Sequence, residues 1–106
     1  MKVIVNRQLS GGLYYVSFKV GDWTPEELSQ MQSFGVPNIP LRMGPPLAAT
    51  VMTIPMTRIT DKYQAGFKSE PEAKAYEEST LGLLRVAVAS LREKTDKFTS
   101  TAEVDI

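Results

Sequence analysis

From Glu72 to Lys97 the chain runs without proline and with a single glycine, Gly82. The run opens on Ser69-Glu70-Pro71-Glu72, where a serine can cap a helix, proline suits its first turn and the glutamate three residues on completes a capping box. A 106-residue chain that gives so much of itself to one helix must build its core against that helix. Stepping the residues at 100° gathers Ala73, Tyr76, Thr80, Leu81, Leu83, Leu84, Ala87, Val88, Leu91 and Phe98 on an arc of roughly 160°. Such an arc is broader than a coiled-coil seam and asks for a sheet as its partner. Val86 and Ala89 fall outside it, so between Leu81 and Leu91 the helix is apolar on more than its core face.

The strands to match it lie upstream. Val3 and Val5 alternate with Lys2, Ile4 and Asn6, and Tyr14, Val16, Phe18 and Val20 alternate with Tyr15, Ser17 and Lys19, on either side of Ser10-Gly11-Gly12. Period two around a double glycine predicts a β-hairpin, because glycine supplies the positive φ that a tight connection requires. Asp22-Trp23-Thr24-Pro25-Glu26-Glu27-Leu28 predicts a first helix: Thr24 caps, Pro25 takes the first helical position, Glu27 closes a capping box, and Trp23 and Leu28 occupy the hydrophobic staple positions. Gly35 and Pro37 should stop it near Phe34.

Between Gly35 and Pro46 stand Pro37, Pro40, Pro45, Pro46 and Gly44, a density at which no regular element is expected. Val36, Ile39, Leu41 and Met43 make this segment an apolar loop lying against the body. Thr50 to Ile59 returns to period two, with Pro55 marking an edge or a bulge, and Tyr63, Ala65 and Phe67 suggest a short fourth strand. The expected fold is α+β: an antiparallel sheet of three to four strands in the order β-β-α-β-β-α, with two helices packed on one face. Residues 1–98 form a single domain in this reading and 99–106 a loosely ordered tail.

Composition narrows the chemistry. The chain has no cysteine and no histidine, which removes disulfides, thiolate nucleophiles, zinc sites built on either residue and the commonest general base. Ser10-Gly11-Gly12 reads as a turn rather than an oxyanion loop, and Glu70, Glu72, Glu77 and Glu78 read as acids complementing a helix N-terminus rather than as a cation site. No catalytic, cofactor-binding or metal-binding residue is assigned, and the chain is not expected to be an enzyme. Twelve basic and twelve acidic residues cancel, which argues against a whole-molecule attraction to nucleic acid or membrane. The absence of an export signal or an apolar run of membrane-spanning length predicts a cytoplasmic protein.

Three functions fit what is left. The first is a homodimeric assembly or protein-interaction module, its interface drawn from Ile39, Leu41 and Met43 of the proline-rich segment and Leu81, Val86 and Ala89 of the long helix. The second is a small-molecule pocket between sheet and helices, lined by Tyr14, Phe18, Met52, Tyr76 and Leu83 with Arg42 or Tyr63 as polar anchor. The third is weak nucleic-acid binding by Lys2, Arg7, Tyr15, Lys19 and Arg58, because residues 1–68 carry a net +3 and residues 69–106 a net −3.

Overall fold

The computed structural model describes residues 1–99 and 101–106. Strands β1 (Lys2–Ser10) and β2 (Leu13–Gly21) form the hairpin around Gly11 and Gly12, both at positive φ, in a register that pairs Val3 with Val20 and Val5 with Phe18. Helix α1 (Pro25–Phe34) follows. The Thr24 hydroxyl accepts from the Glu27 N–H at 3.1 Å while the Glu27 carboxylate accepts from the Thr24 N–H at 2.9 Å, so both halves of the predicted capping box are made.

The proline-rich segment departs from expectation. Asn38–Met43 is a strand, β3, paired antiparallel with β4 (Thr50–Pro55) across a short 3-10 turn at Pro46–Ala48. Proline cannot donate to a ladder, yet Pro40 faces Thr53 and Pro55 faces Asn38, two positions of the same parity. Both therefore occupy the non-hydrogen-bonded pairs, where the missing N–H would point away from the partner strand. Composition counts prolines but not parity, and parity rescues the strand. Its inward residues Ile39 and Leu41 are 2% and 1% exposed, so they are core rather than loop. The strand expected up to Ile59 ends at Pro55 and gives way to a 3-10 turn, Met56–Arg58, whose Met56 is buried.

Among the described residues five strands thus make two sheets, ordered β1-β2-β5 and β3-β4, with β5 (Ala65–Phe67) beside β2. The sheets meet at Gly44: its N–H donates to the Gln64 carbonyl at 2.9 Å, and the Gly66 N–H donates to the Gly44 carbonyl at 3.0 Å. Helix α2 (Glu70–Phe98) packs on β2, β5 and β3. Ser69 caps it by accepting from the Glu72 N–H at 3.4 Å, without the return bond of a full box. Helix α1 leans chiefly on α2 rather than lying beside it on the sheet. The core is one cluster of Val16, Phe18, Ile39, Leu41, Ile54, Met56, Ile59, Phe67, Leu84 and Leu91 with their neighbours.

Candidate functional site

The face of α2 turned away from the sheets carries the apolar side chains that the sequence placed outside the core arc. Ala73, Thr80, Leu84 and Leu91 are buried against the body. Directly opposite them, at 100° steps, stand Ala75, Ser79, Gly82, Val86 and Ala89. Val86 is 67% exposed and Leu83, on the β3 side of the same face, 41%. Gly82 in mid-helix costs about 0.5–1 kcal/mol relative to alanine, and a Cβ placed there would meet nothing within 4 Å. Packing inside the chain gives no reason for that glycine. On the opposite flank Arg85 and Arg92 border a groove shared with Glu26 and Glu27 at the start of α1, and neither they nor Glu78 form an ion pair among the described residues.

On the other side of the molecule the hairpin tip overhangs the start of α2 and leaves a groove of about 470 Å³, with Leu9, Tyr14, Val16 and Ala73 as its apolar wall. Its charged corner is a forked ion pair joining residues 70 positions apart: the Arg7 Nε donates to Glu77 Oε1 at 2.6 Å and Nη2 to Oε2 at 2.8 Å. The Arg7 hydrogen bonds hold the Glu77 carboxyl below its ordinary value of 4.5, outweighing the opposing effect of burial, with the nearby charges of Arg7 and Lys74 adding to the depression. A depressed folded value means that the unfolded chain takes up this proton more readily than the folded one. The stability contributed by Glu77 is therefore complete above pH 4.5 and is lost as pH falls through the depressed value. Urea unfolding of the parent and of Glu77→Gln across this range should show a stability gap that closes on acidification. A gap unchanged down to the onset of acid unfolding would show that the carboxylate contributes nothing through its charge.

Tyr76 ties α2 to β3. Its hydroxyl accepts from the Arg42 N–H at 3.1 Å and donates to the Arg42 carbonyl at 3.3 Å, while its ring sits 5.8 Å from Phe18 and 5.2 Å from Phe67. Burial raises its pKa above the ordinary 10.0, against the lowering effects of the Arg42 backbone and Thr80 hydrogen bonds and the Arg42 charge, so the hydroxyl stays neutral. The Arg42 guanidinium lies over Phe67 at 4.7 Å from the ring centroid.

The seven residues expected to line one pocket are dispersed. Tyr14 borders the groove, Phe18 is sealed in the core, Arg42 and Tyr76 form the α2–β3 tie, and Tyr63 is half-buried beneath the Lys62 ammonium. Met52 and Leu83 are exposed. Of the six residues expected at a dimer interface, Ile39 and Leu41 are core and out of a partner's reach. Met43 and Leu81 are half-buried, and Val86 and Ala89 are exposed. Among the residues considered for nucleic acid, Lys2, Lys19 and Arg58 are exposed, Arg7 is engaged by Glu77, and the Tyr15 ring covers Gly66. Glu70, Glu72 and Glu78 leave α2 in three different directions.

Sequence reasoning missed the Arg7–Glu77 fork, which joins an exposed arginine to a buried glutamate across 70 positions. It placed Val86 and Ala89 outside the core arc of α2, but the small residues Ala75, Ser79 and Gly82 on the same stripe have meaning only once the buried face is known. Among the described residues no helix is long and apolar enough to cross a membrane. No protein-family model, no curated protein and no solved structure matches this chain.

Proposed function

We propose that this chain is a non-enzymatic assembly module that acts as a homodimer through the outer face of α2. The observation that carries this reading is Val86, in open contact with water at the middle of a 29-residue helix, with Ala89 and Leu83 uncovered beside it. Moving a valine side chain out of water contributes roughly 1.5 kcal/mol or more, and a second molecule is the covering that the chain itself does not supply.

Sedimentation over a micromolar concentration range tests the proposal. The parent should move from an 11.7 kDa species toward twice that mass as concentration rises. Val86→Glu, which alters an exposed side chain and should leave the circular dichroism spectrum intact, should raise the dimer Kd by about tenfold or more. A parent that sediments as an 11.7 kDa species throughout would sink the homodimer.

A further inference from the structure

We propose that the second copy docks antiparallel along α2, with the two-fold axis crossing the helix between Gly82 and Val86; the inference rests on the homodimer reading above. Ala75, Ser79, Gly82, Val86, Ala89 and Glu93 are spaced alternately by four and three residues, the repeat that keeps one stripe of a helix against a partner helix. The stripe lies opposite the core face, and its five residues up to Ala89 have small or β-branched side chains, so a second helix can approach closely.

The flanking residues choose the orientation. Tyr76, Leu83, Ser90 and Lys97 border the seam on the β3 side, and Glu78, Arg85 and Arg92 on the other. In a parallel pair each residue of one flank meets the opposite flank of the partner five positions on. Glu78 would then face Leu83, Arg85 would face Ser90, and Arg92 would face Lys97, whose ammonium is paired with Glu93 at 2.8 Å, so the parallel arrangement gains no attractive pair. In an antiparallel pair centred between Gly82 and Val86 each flank meets its own kind. Glu78 of each copy then faces Arg92 of the other, twice over, and the two Leu83 side chains meet at the axis. Among the described residues Glu78 and Arg92 form no ion pair, and both are exposed, which suits them to this pairing. The arrangement brings the two Arg85 side chains together, but these are long and exposed and can turn into solvent. Inside the seam Gly82 packs on Val86, Ser79 on Ala89 and Ala75 on Glu93. One step farther Glu72 would oppose Asp96, and this repulsion ends the contact. The seam therefore covers about five helical turns, roughly 27 Å.

The absence of cysteine from the chain makes the test direct. Ala75→Cys and Glu93→Cys, each made in the 106-residue chain, mixed and treated with a short thiol cross-linker, should join to each other, and neither should join to itself, since two copies of either residue lie about 27 Å apart in this register. Glu78→Arg and Arg92→Glu should each weaken the dimer by about tenfold or more, and the double exchange should restore it to within a few-fold. If Ala75→Cys cross-links to itself, the pair is parallel and the proposal is wrong. If sedimentation shows a dimer while the mixture does not cross-link and the double exchange fails to rescue, the homodimer stands but the register is wrong. If the parent is a monomer throughout, both readings fall.

Discussion

Gly44→Ala should lower stability by about 2–4 kcal/mol, read as a fall in the midpoint of urea unfolding. Gly44 has φ +96°, a backbone conformation that L side chains rarely adopt, and an added Cβ would stand 2.9 Å from the Ala48 carbonyl oxygen. That oxygen belongs to the backbone of the tight turn between β3 and β4, so it has little freedom to retreat. Gly44 also supplies both groups of the bridge joining the two sheets, and any shift that relieves the clash lengthens hydrogen bonds of 2.9 and 3.0 Å. Gly11→Ala is the control. Its φ is +57° and nothing lies within 4 Å of its would-be Cβ, so it should cost only about 1 kcal/mol. Equal losses in the two variants would show that backbone conformation alone matters and that the crowding at the junction does not.

Tyr76 should give the other large effect, and in two steps. Tyr76→Phe keeps the ring between Phe18 and Phe67 but removes the hydroxyl that satisfies both backbone groups of Arg42, for about 1–2 kcal/mol. Tyr76→Ala removes the ring as well and should cost about 3 kcal/mol or more. Thermal or urea unfolding of both variants separates the two contributions. If Tyr76→Phe is as stable as the parent, the tie between α2 and β3 is made by packing and not by the hydroxyl.

Local signals made most of the fold legible in the sequence. The double glycine between two period-two runs specifies the hairpin, and Thr24-Pro25-Glu26-Glu27 specifies a capped helix start, because the groups that form these features are neighbours in the chain. Strand β3 was not legible. Whether Pro40 is tolerated depends on which residue of β4 it faces, a relation fixed only when the two strands meet. The same limit put Ile39 and Leu41 on the surface in the sequence reading: taken as loop residues they had no inward face, and pairing gave them one. At the candidate site, Val86 stood out as apolar beyond the core arc, whereas the flanking pattern of Glu78, Leu83 and Arg92 needed the buried face of α2 to be known. The Arg7–Glu77 fork spans 70 positions, and sequence periodicity does not reach that far.

The junction at Gly44 bears on how the molecule opens. Two backbone hydrogen bonds join the sheets there, whereas a nine-residue ladder holds β1 to β2. The β3–β4 pair is therefore held to the rest of the molecule by the burial of Ile39, Leu41 and Ile54 and by the Tyr76 tie, with only local continuity of the sheet. Hydrogen exchange reads the consequence: if the pair opens as one unit, its ladder amides should take up solvent deuterium together and ahead of those in β2 and α2, whereas amides that exchange one by one would show that it does not.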